Sequence, residues 1–205
     1  MANIEPLKSL DDDGFPTPEV GSWSEEKYRH VQLYASLFVK SMRSKWDALV
    51  YLDLFAGSGR SQIRGTGRIV SASPLQILGM PEAYDKYIFC EQDRNYAETL
   101  EKRCRREFPN RNARIITGNA NASVDNIIAE IPRPGKSRKV LGFCFLDPFH
   151  MQNLHFSNNR NAVAKIYGFS STYSIQHGCK SQRAKLRSFS KQDVRNLRWQ
   201  SGLAY

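Results

Sequence analysis

The sequence lacks any run of about 18 apolar residues, the length that a membrane-spanning helix requires, so it predicts no transmembrane segment. The start of the chain is polar and acidic and lacks the apolar stretch of a secretory signal peptide. No two of the four cysteines have the Cys-x-x-Cys spacing of metal or redox sites: Cys90, Cys104, Cys144 and Cys179. We therefore expect reduced, mostly buried thiols, no metal site and a cytoplasmic location.

Acidic residues are nearly missing from the last quarter of the chain. The 205 residues include 30 Lys and Arg against 20 Asp and Glu, a net charge of +10. Residues 157–205 hold nine of the basic residues and one acid, Asp193, which leaves 21 basic and 19 acidic residues before them. Because the body of the chain is close to neutral, the basic excess gives only weak support for a nucleic-acid partner.

The length allows one α/β domain with its own core. Residues 1–21 predict an irregular arm, and residues 22–46 predict a long amphipathic helix, because apolar side chains recur there at helical spacing. Four strand-like runs follow, with helix-like segments between them: "ALVYLDLF", "KYIFCE", "ARIITG" and "KVLGFCFLDPF", separated by "SPLQILGM", "RNYAETLEKRCRREF" and "SVDNIIAEI". The segment "RSQIRGTGRIVSAS" predicts a polar loop. This alternation predicts a parallel sheet with right-handed crossovers.

Small or polar residues follow each predicted strand, at the edge where α/β sheets bind ligands. Gly57 and Gly59 allow a tight turn and the close approach of a ligand, although two glycines also suit a plain strand-to-helix turn. Glu91 ends the second strand and could accept hydrogen bonds from ribose hydroxyls, or lie in a solvated loop. Asn119 follows the third strand and could bind an adenine edge, or serve only as a turn residue.

The glycine loop lacks the third glycine of the Gly-x-Gly-x-x-Gly pattern that binds NAD, and the acid four residues before it is not part of that pattern. Together, "DLFAGSG" and the acid of "FCE" resemble the first motif and the second-strand acid of class I methyltransferases that use S-adenosylmethionine (SAM). The resemblance implies a Rossmann-like fold with SAM as cofactor. It places Asp53 near the amino end of the ligand and Glu91 on the ribose. The predicted SAM-binding residues are Asp53, Phe55, Gly57, Gly59, Glu91 and Asn119.

The fourth strand ends in "LDPF", which resembles the [Asp/Asn]-Pro-Pro-aromatic motif of amino-methyltransferases with one proline missing. The resemblance implies that Asp147, Pro148 and Phe149 are catalytic. The acid and a backbone carbonyl would accept hydrogen bonds from a target amino group, and the aromatic ring would stack on a flat base. The alternative is a strand-ending turn followed by a phenylalanine of the core.

The wider pattern resembles the three-Cys-motif partner (TcmP) family, a bacterial group with a methyltransferase-like core. The segments that carry the resemblance span about residues 20–157: "GSWSEEKYRHVQLYASLF", "YLDLFAGSGRSQIRGTG", "SPLQIL", "YIFCEQD", "TGNAN", "EIP" and "CFLDPFHMQNLHFS". Two departures are Asn119, where the family usually has Asp, and His150, where it commonly has Gly. The resemblance implies a partner encoded nearby that carries three clustered cysteines, similar to radical-SAM-type sites.

Two functions follow from the resemblance. The first is methyl transfer from SAM to an amino group of a nucleic acid or of a partner protein. The second is a non-catalytic subunit that docks on the three-Cys protein through the helix at residues 25–45.

The tail from Ser157 shows no sustained apolar periodicity and no strand-like run, so the sheet is expected to be truncated after its fourth strand, with one edge uncovered. The family continues there with a helix and a fifth strand. Because suitably chosen codons give a family-like continuation after a one-nucleotide shift, we hypothesise that residues 158–205 are a frameshifted, non-native or poorly ordered tail. The domain would then comprise residues 22–157, in an inactive copy. The alternative is a genuine basic tail that binds nucleic acid.

Overall fold

The computed structural model describes residues 7–135 and 137–147, together with the backbone of strands at 170–176 and 185–188. Its elements, in chain order, are β1 (Glu19–Val20), α1 (Trp23–Met42), β2 (Ala48–Asp53), β3 (Arg60–Ile63), β4 (Ile69–Ser71), α2 (Ser73–Leu78), β5 (Lys86–Glu91), α3 (Arg94–Glu107), β6 (Ala113–Thr117), α4 (Val124–Glu130), β7 (Val140–Leu146), β8 (Ser170–Gln176) and β9 (Lys185–Ser188). The four helices and four strands predicted from the sequence are all present.

The main sheet has six strands in the order β6-β5-β2-β7-β8-β9. Pairing is parallel from β6 through β8, and β9 runs antiparallel to β8. Numbered along the chain, these strands have the order 3-2-1-4-5-6, which is the order of doubly wound Rossmann-type sheets. The predicted α/β class and the parallel arrangement of the four strands are confirmed.

The sheet does not end at its fourth strand, which corrects the prediction of a truncated sheet. β8 pairs with the outer edge of β7, and β9 pairs with β8. The segment "SSTYSIQ" contains Thr, Tyr and Ile, which favour strands, but three serines hide its apolar pattern. Polar composition alone was therefore a poor guide to strand formation in this segment.

The segment after the glycines forms a hairpin, which corrects the prediction of a polar loop. β3 pairs antiparallel with β4 and parallel with β1 of the N-terminal arm, in a small second sheet. Gly65 and Gly67 adopt positive φ angles of 82° and 66° in the connecting turn. Ile63 and Val70 are buried on either side of it, against Tyr28 of α1. The arginines and glycines of this segment obscured its short alternating pattern in the sequence.

The central strands are buried on both faces of the main sheet. Leu49 and Tyr51 of β2 pack with α1, α2 and α3, whereas Val50 and Leu52 pack on the opposite face with α4. Tyr51 stacks on Phe143 of β7, with ring centroids 5.8 Å apart and ring planes 12° apart. Burial on two faces explains why β2 reads as a continuous apolar run.

Three of the four cysteines lie in this interior, and each is a free thiol: Cys90, Cys104 and Cys144. This confirms the prediction for those three residues, and Cys179 lies outside the described residues. Among the described helices, none is both long and apolar enough to cross a membrane.

The fully buried side chain of Arg103, on α3, ties the N-terminal arm to the glycine turn. Its Nε and Nη2 atoms donate to the two carboxylate oxygens of Asp13, at 3.0 and 2.7 Å. Its Nη1 donates to the carbonyl oxygen and to the hydroxyl of Ser58, at 2.8 and 3.0 Å. The hydrogen bond from Arg103, above all, holds the pKa of Asp13 well below its usual range. The arm is therefore bound to the domain by a buried ion pair.

Replacing Arg103 with methionine should lower the free energy of unfolding by about 3–5 kcal/mol, because Asp13 and the turn at Ser58 lose their buried partner. Urea denaturation followed by circular dichroism measures this change. The matched control is Arg105→Met on the same helix, whose pair with Glu101 has an arginine side chain that is 77% exposed. We expect that variant to change stability by at most about 0.5 kcal/mol. Equal losses in the two variants would contradict the assignment.

Candidate functional site

The carboxyl ends of β2 and β7 mark the point where the strand order of the main sheet reverses. From β2 the chain moves outward through β5 and β6, and β7 then pairs with the other side of β2. Open α/β sheets bind ligands in the crevice outside such a point. Asp53, Glu91 and Asp147 each lie two residues beyond a buried aromatic residue of the face that packs against α1. Because side chains alternate along a strand, the three acids are placed on this face.

Two glycines carry the chain around the turn after β2, and their surroundings differ. Gly57 has a φ of +64° and Gly59 a φ of +87°, both in the left-handed region that favours glycine. A Cβ atom on Gly57 would meet nothing within 4 Å, so this side of its backbone is open. A Cβ atom on Gly59 would lie 2.9 Å from Leu100 Cδ1 and 3.0 Å from Leu75 Cγ. Gly57 can therefore admit a ligand, whereas Gly59 lets the turn pack on α2 and α3.

Glu91 connects the end of β5 to this turn. Its Oε2 accepts a hydrogen bond from the backbone N–H of Gly57 at 2.7 Å, and its Oε1 accepts one from the N–H of Asp93 at 2.8 Å. Each carboxylate oxygen can accept a further hydrogen bond. The half-buried carboxylate thus lies beside the open backbone of Gly57 with capacity left for the hydroxyls of a ligand.

Asp53 is completely buried at the end of the central strand. Its Oδ2 accepts a hydrogen bond from the hydroxyl of Ser73 at 2.8 Å, and its Oδ1 accepts one from the N–H of Phe55 at 3.1 Å. The pKa of Asp53 is raised from 3.8 to about 7, mainly because the carboxyl is buried. The hydrogen bonds from Ser73 and Phe55 and the positive charge of Lys27 act against this rise, and the negative charge of Asp147 adds to it. A carboxyl with this pKa would gain negative charge easily when a cation binds beside it.

Asp147 follows β7 directly and forms an ion pair with Lys27 of α1 through its Oδ2. The lysine side chain is only 6% exposed, whereas that of Asp147 is 25% exposed. The Lys27 ammonium also lies 4.4 Å from the ring centroid of Trp23 and 5.3 Å from that of Tyr28. The first turns of α1 therefore close over the strand ends with a buried cation.

Lys27 is the site residue that sequence reasoning missed. It lies in register with the apolar stripe of α1, four residues before Val31 and eight before Ala35, both of which are buried. A lysine on the buried stripe of an amphipathic helix is unusual, since lysine is almost never buried without a partner. That mismatch is the signal that could have identified it.

Asn119 and Phe55 are engaged in local structure. Asn119 accepts a hydrogen bond from the N–H of Asn121 at 2.9 Å and donates one to Gln92 Oε1 at 3.1 Å. These contacts match the turn-residue alternative for Asn119. Phe55 is half-buried and packs against the core on the α4 face. Pro148 and Phe149 lie outside the described residues.

The structure thus arranges four of the predicted site residues, together with Lys27, in two groups. One group is the open backbone of Gly57 with the carboxylate of Glu91, which can bind hydroxyls. The other consists of Asp53, Asp147 and Lys27, which can bind a charged group. Within residues 7–135 and 137–147, no set of three or more His, Cys, Asp and Glu side chains is arranged to hold a metal ion.

No protein-family model matches the chain, and no curated protein matches it. Several solved structures do. Protein LPL1258 of Legionella pneumophila, of family-model DUF519, is 16% identical with a TM-score of 0.48. The match covers 72% of this chain and 65% of that chain, so this chain spans just under two thirds of the length of LPL1258. An O-methyltransferase from Bacillus cereus in complex with SAH is 15% identical with a TM-score of 0.49, over 91% and 70%. The magnesium protoporphyrin IX methyltransferase of Synechocystis, with bound SAM, is 9% identical with a TM-score of 0.42, over 89% and 74%. Each of these likenesses concerns the fold alone.

Replacing Asp53 with asparagine should stabilise the protein at pH 8 and have little effect near pH 4. The raised pKa of Asp53, about 7, means that the stability contributed by this group is complete below its unfolded-state pKa and is lost as the pH rises through 7. Asparagine can keep both hydrogen bonds, because its amide can donate to Ser73 and accept from Phe55. We expect a gain of about 1–3 kcal/mol at pH 8.

Urea denaturation at the two pH values measures the effect of Asp53→Asn. The matched control is Asp125→Asn, at an exposed position in the first turn of α4, which should show no comparable dependence on pH. A gain for Asp53→Asn that is the same at pH 4 and pH 8 would contradict the prediction.

Proposed function

We propose that the chain is a methyltransferase-like protein that binds SAM at the carboxyl ends of β2, β5 and β7. The observation that carries the proposal is the open backbone of Gly57 beside the Glu91 carboxylate, next to the buried carboxyl of Asp53. Glu91 has free acceptor capacity for the two hydroxyls of a ribose. Asp53 suits the amino end of the ligand, as the resemblance to class I methyltransferases implies.

The electrostatics of the second group of residues support a cationic ligand. When bound, SAM supplies a methyl group on a positively charged sulfonium. Asp53 and Asp147 together carry more negative charge than Lys27 offsets when both are ionised. A nearby ligand cation would favour the ionised form of Asp53, whose pKa lies about 7 without it. The site would therefore release protons on binding at neutral pH.

For the reaction, we propose that Asp147 holds an amino group of the methyl acceptor. In the described contacts Lys27 donates only to Oδ2 of Asp147, so Oδ1 can still accept a hydrogen bond from an N–H group. The protein would act mainly by orienting the amino group and excluding water. The acceptor would be an amino group of a nucleic acid or of a partner protein, with Pro148 and Phe149 completing the acceptor side.

The second candidate is a non-catalytic subunit of a three-Cys-motif protein, as expected of the TcmP family. One observation favours it: α1 exposes three large apolar side chains, with Trp23 and Leu37 each 48% exposed and Leu33 54% exposed. Leu33 and Leu37 are neighbours on the helix surface, since they are four residues apart. A docking role would explain why these leucines face outward on a helix that is otherwise amphipathic.

The frameshift hypothesis for the tail remains a proposal as well. It is supported by the family-like continuation that a one-nucleotide shift gives with suitably chosen codons for residues 158–205. The strands β8 and β9, which extend the sheet in parallel and then antiparallel pairing, weigh in favour of a genuine continuation. The nucleotide sequence of the gene separates the two, because a frameshift requires a family-like reading in another frame.

Isothermal titration calorimetry of the full chain with SAM tests the proposed function. We expect binding, and we expect Glu91→Ala to weaken it at least about tenfold, since the ribose hydroxyls would lose a charged acceptor. The matched control is Glu98→Ala on α3, at a half-exposed acid paired with Arg94, which should leave affinity unchanged. Absence of binding by the unmodified chain would refute SAM binding. Full affinity in Glu91→Ala would refute the role of Glu91 alone.

Replacing Asp147 with asparagine should weaken SAM binding, because the site loses one carboxylate. At saturating SAM it should still lower methyl transfer about a hundredfold or more, the usual cost of losing one preorganised polar contact at a reacting group. Transfer from radiolabelled SAM to RNA, to DNA and to the neighbouring three-Cys protein measures the change. Asp125→Asn serves again as the control. Undiminished transfer by Asp147→Asn would contradict the assignment. Binding of SAM with no transfer to any acceptor would favour the non-catalytic subunit.

A further inference from the structure

We propose that Lys27 binds the carboxylate of the amino acid portion of the ligand, so that α1 provides the part of the site that selects an aminocarboxylate. The proposal rests on the proposed function, because it adds a contact to the same SAM site. It concerns a residue to which neither the glycine motif nor the strand-end acids point.

The surroundings of Lys27 leave its ammonium incompletely satisfied. An ammonium group has three N–H donors. Among the described residues, the Oδ2 atom of Asp147 is the one hydrogen-bond acceptor for Lys27, and the rings of Trp23 and Tyr28 provide cation–π contacts. A charge that is 94% buried is costly unless it is paired and hydrogen-bonded. Further acceptors are therefore expected at this ammonium when the site is in use.

The position of Lys27 connects it to the ligand site. Asp147 directly follows β7 at the switch point and pairs with Lys27, and the charge of Lys27 opposes the rise in the pKa of Asp53 at the end of β2. Lys27 thus lies close enough to both strand ends to act on them electrostatically. A ligand group that reaches Asp53 and Asp147 comes within range of the Lys27 ammonium.

The charges of the group match an amino acid zwitterion. The carboxylates of Asp53 and Asp147 attract the ligand ammonium but repel its carboxylate, and a direct contact with Lys27 offsets that repulsion locally. The arginines that flank the glycine turn are committed elsewhere, since the guanidinium groups of Arg60 and Arg103 both pair with Asp13 of the arm. Of the cations described around the strand ends, Lys27 is the one that pairs directly with a strand-end acid.

The competing explanation is that Lys27 only neutralises Asp147. The two explanations differ in one respect that can be measured. A neutralising lysine affects every ligand of the site through Asp147, whereas a lysine that binds the ligand carboxylate affects only ligands that have one.

The experiment compares three ligands by calorimetry with the full chain: S-adenosylhomocysteine (SAH), its decarboxylated analogue, which keeps the amino group, and 5′-methylthioadenosine, which lacks both groups. We expect Lys27→Met to weaken SAH about ten- to hundredfold, the worth of a charge-assisted hydrogen bond. Affinity for the decarboxylated analogue and for methylthioadenosine should change less than about threefold or rise. Lys27→Arg should recover part of the SAH affinity.

The control variant is Lys40→Met, at an exposed lysine of the same helix that pairs with Glu82, which should leave all three affinities unchanged. Equal losses for SAH and for its decarboxylated analogue, or no loss for either, would overturn the proposal while leaving SAM binding intact. If the unmodified chain binds none of the three, the proposed function itself fails and the assignment of Lys27 fails with it. If Lys27→Met does not fold, the double variant Lys27→Met/Asp147→Asn removes both charges, and the same comparison with Asp147→Asn alone decides.

Discussion

The geometry of the site depends on the hydrogen bonds of the buried guanidinium group of Arg103. This group joins three segments that are distant in sequence: the N-terminal arm through Asp13, helix α3 that carries the arginine, and the turn after β2 through Ser58. The turn has two glycines and little intrinsic rigidity, since glycine restricts the backbone less than any other residue. The hydrogen bonds from Arg103 to Ser58 hold the turn in place next to the open backbone position of Gly57. The buried Arg103–Asp13 ion pair therefore makes the turn rigid, and the absence of a side chain on Gly57 leaves its backbone accessible.

The second constraint is the charge balance at the ends of β2 and β7. Two acids and one lysine are gathered where solvent is largely excluded, and the cost of burying charge is visible in the raised pKa of Asp53. Structural residues seldom keep such an arrangement, because an apolar side chain would be more stable there. Groups that are costly to bury and well placed around a crevice are characteristic of sites that bind ligands. The balance also explains why α1 belongs to the site as well as to the core.

Much of the fold could be read from the sequence because burial dictated it. β2, β5 and β7 are covered on both faces, so their apolar runs were long enough to recognise, and the polar residue that ends each run marked the edge of the sheet. The hairpin β3–β4 was missed because half of its residues are arginine, glycine or threonine and its apolar positions are few. The strand β8 was missed for a related reason, since serine is found on both buried and exposed faces of strands and gives no alternating pattern.

The site was predictable to the extent that strand ends define it. Asp53, Glu91, Gly57 and Asp147 could be proposed from the sequence because each follows an apolar run. Lys27 could be suspected from the sequence only through its place on the apolar stripe of α1, because its contact with Asp147 depends on how α1 crosses the sheet. The different surroundings of Gly57 and Gly59 also required the structure: both have positive φ, but Gly57 has open space beside it, whereas Gly59 packs on leucines.

The hairpin that follows the glycine turn has a consequence for the kind of ligand that the turn can attract. In dinucleotide-binding folds a helix begins directly after the glycines, and the partial positive charge at its N-terminus draws the pyrophosphate. Here the chain enters β3 at Arg60, and a strand has almost no net dipole to direct at the turn. The turn therefore lacks the helix dipole that attracts phosphate in those folds. A ligand with a positively charged sulfur would meet less electrostatic opposition there than at the end of a helix.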